Sequence, residues 1–229
     1  MLVLSWNLFH GRAVPSAGRD LCDDFAAALA SWEWDVALLQ EVPPWWPPAL
    51  ARACDADQRT ALTSRNALPA LRRAIAVRAP DVIKSNGGGA NAILVRSRAG
   101  PIVAERRLVL RCWPERRVCH AVALAGGTWC ANLHAQVHSP RRAGADIARA
   151  AAATLAWAQG APVVLGGDLN VREPAAAGFA RLGGHGVDHV LGSVGVAAIG
   201  TTERPDRGAL SDHAAIVVGV LSHAAGAAG

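Results

Sequence analysis

The chain has 229 residues, 52% of them apolar and 18% charged, which suits one globular domain and excludes a disordered chain. A formal charge of +5 and a pI near 9.5 admit an anionic partner without specifying one. No apolar run reaches the ~18–20 residues of a membrane span, and five scattered cysteines predict free thiols in a reduced, cytoplasmic compartment rather than a metal knot.

Met1 leads almost directly into an apolar strand over residues 2–6, with no targeting segment expected before it. Leu21, Phe25, Leu29 and Trp32 then recur at helical spacing, with Asp23 and Asp24 on the other side. "DVALLQEV" reads as a strand covered on both faces. Prolines 43, 44, 47 and 48 break the chain before a short helix around 49–53. "GGGANAILVRS" is a glycine loop and a strand. Residues 102–112 and 116–124 form a hairpin turning at Trp113, Pro114 and Glu115. "TWCANLHAQVH" is a strand with a polar end. Ser139 caps and Pro140 opens an alanine-rich helix that closes near Gly160. Strands are expected at 162–166, in "VDHVLGSV" and in "SDHAAIVVGV". No repeat or long linker divides the chain. One α/β domain over 1–222 follows, with two packed sheets, outer helices and a frayed tail at 223–229.

Five polar outcrops share one pattern, each at the end of an apolar strand. They are Asn7 after "LVLSW", Glu41 after "VALLQ", Asn132 and His134 after "TWCA", Asp168 and Asn170 after "VVLGG", and Asp212 with His213 before "AAIVV". Singly, each has a plain structural explanation: Asp168 as a turn cap, Glu41 as a solvated strand end, His134 as a satisfied core histidine. Together they gather carboxylates, amides and imidazoles with no serine or cysteine nucleophile among them. A carboxylate at a buried strand end is costly unless paired, hydrogen-bonded or bound to a cation. The set suits a hard divalent cation and an activated water.

"SWNLFHGR", "LLQEV", "GANAILVRS", "ANLHAQ", "GGDLNV", "VDHVLGS" and "SDHAAIVV" occur in an order that resembles the endonuclease/exonuclease/phosphatase superfamily, from Trp6 to Val218. The resemblance implies a deoxyribonuclease I-like, four-layered α/β/β/α sandwich of two mixed sheets, with the site at their rim. It implies a Mg²⁺-dependent phosphoesterase, with Mn²⁺ as a substitute. Glu41 would be the main metal ligand, with Asn7 beside it and Asp212 completing the site. Asp168 would activate the attacking water and Asn170 would hold that water or a phosphate oxygen. His213, buttressed by Asp188, and His134 would face the phosphate. The repair-nuclease branch carries an acid where this chain has Phe9, and it uses a tyrosine, which this chain lacks. The resemblance therefore does not extend to an abasic-site activity.

Asn132 and Arg12 are candidate substrate contacts. His10 and His138 adjoin the motifs. The arginines of "AERRLVLRCWPERRV" either track a phosphate backbone or form a solvated hairpin face. "PPWWPP" and His189 are read as packing. The favoured function is a phosphodiesterase or nuclease with nucleic acid or another phosphodiester as partner and no obligate protein partner. The alternatives are a phospholipid or inositol-phosphate phosphoesterase, and a catalytically silent binding module.

Overall fold

Central strands that are apolar on both faces need cover on both sides, and the chain supplies it with a second sheet on one side and helices on the other. The structure is a computed structural model that describes residues 1–222; the expected tail at 223–229 lies outside the described residues. In chain order the elements are β1 (Leu2–Asn7), α1 (Cys22–Ser31), β2 (Val36–Val42), α2 (Pro47–Ala53), β3 (Ala56–Leu62), α3 (Pro69–Arg78), α4 (Pro80–Ile83) and β4 (Ala90–Arg96). There follow β5 (Ile102–Arg111), β6 (Arg117–Leu124), β7 (Trp129–His134), α5 (Pro140–Ala158), β8 (Val163–Asp168), β9 (Phe179–His185), β10 (Asp188–Ser193), β11 (Val196–Glu203) and β12 (Ile216–Ser222).

Two six-stranded sheets result, ordered β11-β12-β1-β2-β4-β3 and β5-β6-β7-β8-β10-β9. Each holds one parallel pair, β1 with β2 and β7 with β8, among antiparallel neighbours. The alternation along β2 shows how the layers are built. Val36 and Leu38 face the second sheet, where they meet Val122, Cys130, Val164 and Val190. Ala37 and Leu39 face the other way, into a cluster with Phe25 and Leu29 of α1 and Leu50 of α2. On the far side, α5 lays Ala143, Ile147, Ala150 and Ala151 on Leu133 and Leu165 of the second sheet. This is the four-layered sandwich that the family resemblance implied.

Trp46 is buried and packs on Phe25 at 5.4 Å between ring centroids, so the "PPWWPP" segment anchors α2, as expected. The Ser139 hydroxyl accepts a hydrogen bond from Arg142 N at 3.4 Å and caps α5. All five cysteines are free thiols. Among the described residues no helix is long and apolar enough to cross a membrane.

The parallel pairs position the site. β1 and β2 run in one direction in the first sheet, and β7 and β8 do so in the second. Their C-terminal ends, Asn7, Val42, His134 and Asp168, meet at one rim of the sandwich.

Candidate active site

Several of the polar groups at this rim stand at local breaks in regular backbone. Glu41 sits where the β2–β4 register shifts, between Leu39 and Val42, with φ 50. The bulge sends Gln40 into the core and Glu41 into the open cleft. Phe9, His10, Asn170 and Ser211 also have left-handed φ values of 50, 55, 53 and 63. Such conformations cost energy in residues with a side chain, and their concentration around one cleft marks a built site.

The cleft is about 370 Å³ in volume. Asn7, Glu41, His134, Asp168, Asn170, Asp212, His213 and Arg12 all line it. Asp168 is the hub. Its Oδ2 accepts a hydrogen bond from Asn7 Nδ2 at 3.0 Å, and its Oδ1 accepts one from Asn170 N at 3.1 Å. His134 Nε2 stands 3.4 Å and His213 Nε2 3.8 Å from Oδ2. Asn170 donates from Nδ2 to Ala135 O at 3.0 Å, which fixes its carboxamide. His213 Nδ1 donates to Asp188 Oδ2 at 2.9 Å, and His213 N donates to the Ser211 hydroxyl at 3.0 Å. Ser211 in turn donates to Asn7 O at 2.6 Å, tying the loop before β12 to the end of β1.

Burial and charge divide the titratable groups. Burial, with the charge of nearby Asp188, raises the Asp168 carboxyl to about 7. Burial opposes charge on His213, but the hydrogen bond and charge of Asp188, together with Asp168 and Asp212, win and raise it to about 9. Burial takes His134 well below the ordinary 6.5, helped by Arg117, so it is neutral at pH 7. Burial also lowers His10, whose two ring nitrogens both face acceptors: Gly88 O and Glu41 Oε2, each at 3.2 Å.

The donor set suits a hard cation. Carboxylates of Glu41, Asp168 and Asp212 and amides of Asn7 and Asn170 offer oxygen, with no thiolate among the lining residues. One oxygen each of Asp168 and Asp188 and one nitrogen of His213 lie within 4.8 Å of one another. Two members of that trio, His213 and Asp188, are already hydrogen-bonded to each other. Glu41 and Asp212 open more directly to the cleft, their side chains 21% and 43% exposed.

One expected substrate contact is corrected. Asn132 is fully buried and does not line the cleft. Its amide donates to Leu39 O and Ala92 O at 2.8 and 2.9 Å and accepts from Gln40 Nε2 at 2.8 Å, clamping the two sheets together. It shares its inward face with His134 but lies one step deeper, where the seam between the sheets is closed. The arginines of the hairpin also divide. Arg106 and Arg107 are exposed on β5, the latter paired with Glu105 at 2.5 Å. Arg111 pairs with the buried Asp146 of α5 at 2.7 Å. Arg116 and Arg117 alone of the five line the cleft.

Sequence reasoning missed Thr63, Ser64, Arg65 and Ser85, which complete the cleft wall. They lie in a stretch without hydrophobic periodicity, and no motif marks them. His10 and His138, noted only as neighbours of motifs, line the cleft as well.

The sequence pattern of the Endonuclease/Exonuclease/phosphatase family matches residues 4–213. No curated protein matches the chain in sequence. Among solved structures, the endonuclease/exonuclease/phosphatase from Bacteroides vulgatus superposes with TM-score 0.72 and 12% identity, over 97% of this chain and 98% of that one. The mannosyl-6-phosphatase Bt3783 of Bacteroides thetaiotaomicron gives 0.70 and 16%, over 96% and 99%. Truncated Caenorhabditis elegans TDP2 gives 0.68 and 16%, over 97% of each chain.

Proposed function

The chain belongs to the endonuclease/exonuclease/phosphatase family of phosphate ester hydrolases, and we propose that it is a Mg²⁺-dependent phosphodiesterase acting on nucleic acid. The observation that carries this reading is the convergence, in one cleft, of a buried carboxylate near neutrality with an imidazolium held by a second carboxylate. Asp168, at about 7, is matched to taking a proton from water near neutral pH. Asn7 and Asn170 fix its two oxygens, so the free lone pairs point along set directions. His213, protonated through Asp188, presents Nε2–H to a non-bridging phosphate oxygen and offsets charge as it builds there. Neutral His134, at the end of β7 beside Asp168, offers a second donor. Water oxygen bonds to phosphorus, the bond to the departing oxygen breaks, the water's proton goes to Asp168, and the departing alkoxide takes a proton from solvent and leaves as an alcohol. Glu41, Asn7 and Asp212 would hold the cation, with Asp168 adjoining. Bound there, Mg²⁺ supplies Lewis-acid stabilisation of phosphate charge.

The cleft is larger than one phosphoryl group and has room for the groups on both sides of a phosphodiester. At roughly 30 Å³ per water-sized group, 370 Å³ leaves room for on the order of ten. The test is hydrolysis of single-stranded DNA, duplex DNA, RNA, bis-p-nitrophenyl phosphate, phospholipid vesicles and sugar phosphates, with Mg²⁺ or with EDTA. Cleavage of nucleic acid that requires Mg²⁺ is expected. Turnover only on lipid or on monoesters would refute the nucleic-acid assignment, and full activity in EDTA would refute the metal.

A further inference from the structure

One wall of the cleft is cationic, and no step above uses it. The loop after β3 brings Thr63, Ser64 and Arg65; the turn between β5 and β6 brings Glu115 and Arg116, and Arg117 opens β6. These loops come from different sheets, yet they are laced together. Arg116 N donates to the Ser64 hydroxyl at 2.6 Å, and Arg116 NH1 donates to Leu62 O at 3.3 Å. Asn66 Nδ2 holds the first loop through Thr63 O, Ser64 O and Gly89 O at 3.0 to 3.1 Å.

Glu115 clips two guanidiniums at once, Arg65 at 2.7 Å and Arg117 at 2.5 Å. One carboxylate among three guanidiniums leaves an excess of two positive charges. Arg117 is the telling member, because its side chain is only 6% exposed. Burial lowers its pKa, which measures the cost of keeping the charge there. Its Nε is buried without a hydrogen-bond partner. A buried guanidinium is costly unless anions offset its charge, and the carboxylate of Glu115 is shared with Arg65. The forked donors of arginine match the oxygens of a phosphate.

We infer that Arg65, Arg116 and Arg117 form a second phosphate subsite, so that the preferred substrate carries another phosphate beside the scissile one. This rests on the phosphodiesterase reading for its place in catalysis, but phosphate binding at the wall does not. Glu115 acts as a positioning residue that anchors both forks.

The experiment compares matched probes at fixed ionic strength. One pair is the thymidine dinucleotide TpT with and without a terminal 5′-phosphate. The other is inositol 1-phosphate against inositol 1,4-bisphosphate. Affinities are read by calorimetry in EDTA, where no hydrolysis is expected, and kcat/KM ratios are read in Mg²⁺. The probe with the extra phosphate should bind about tenfold tighter or better, as charged hydrogen bonds imply. The ratio should collapse toward one in Arg65→Ala and Arg116→Ala, and Arg65→Lys should recover part of it. Glu115→Gln makes the wall one unit more positive yet should weaken the preference, because the two guanidiniums lose their shared anchor. Should Arg117→Ala fail to fold, the other four variants still decide the matter. Whichever pair shows the preference identifies the carrier of the second phosphate. Equal affinities in both pairs, or a preference that survives the arginine variants, would overturn the subsite. Preferential binding without any hydrolysis would leave the subsite standing and refute the phosphodiesterase reading.

Discussion

Asp168 and Asp188 are paired residues on neighbouring antiparallel strands, and His213 stands over both. The carboxylates repel, and the imidazolium is what lets them coexist. Its folded pKa of about 9 lies above the ordinary 6.5. The stability it contributes is therefore complete below about 6.5 and lost as pH rises through about 9. In metal-free protein the His213 ring protons should titrate well above neutrality by NMR, and Asp188→Asn should bring that midpoint down. A midpoint near 6.5 in the wild type would dissolve the pair. In catalysis, His213→Ala and Asp168→Asn should each cost ~10² to 10⁴ in kcat, the usual worth of such groups. Asp188→Asn acts through His213, so its loss should shrink in the His213→Ala background. Additive losses in the double-mutant cycle would separate the two residues.

At the scale of elements, Gly167 shows why "GGD" precedes the hub. Its φ is 142, and a Cβ there would lie 1.8 Å from Leu133 O of the adjoining strand. Gly167→Ala should destabilise the protein by ~2 kcal/mol or more, read by denaturant unfolding, and should displace Asp168 with it. Helix α3 makes the opposite prediction: none of its residues is buried, so its amides should exchange far faster than those of α5. Legibility follows the same division. Central strands such as β2 and β8 were readable because both their faces are apolar, and α5 because its caps are explicit. The strands missed were β3, β9 and β11, all at sheet edges, where one side has no partner strand and polar residues are tolerated. Asp168, His213 and Glu41 were visible as polar breaks at apolar strand ends. Asn132 looked the same in sequence, because nothing local says how deep a strand position lies between two sheets. Arg65 and Ser64 were invisible, since they reach the cleft through a loop tied down only by contacts distant in sequence.

The whole molecule assembles its site across a seam. Asn7, Glu41 and Asp212 belong to the first sheet or its loops; His134, Asp168 and Asp188 belong to the second. The Asn7–Asp168 hydrogen bond crosses between them, beside the Gln40–Asn132 clamp. Closing the sandwich therefore forces carboxylates together in a partly dry place. Asp168, raised to about 7 from an ordinary 3.8, opposes folding increasingly as pH climbs between those values, and fully above 7. Removing that charge should stabilise the metal-free fold. In EDTA, Asp168→Asn should melt above the wild type at pH 8, and the gap should close as pH falls toward 4. Adding Mg²⁺ should raise the wild-type Tm, because a cation that binds only the closed seam pulls the equilibrium toward it. Glu41→Gln should lose most of that rise, since Glu41 opens to the cleft and carries the charge the cation would meet. A Tm that ignores Mg²⁺ in the wild type, or a rise that Glu41→Gln keeps in full, would place the cation elsewhere and leave the seam held by its hydrogen bonds and His213 without it.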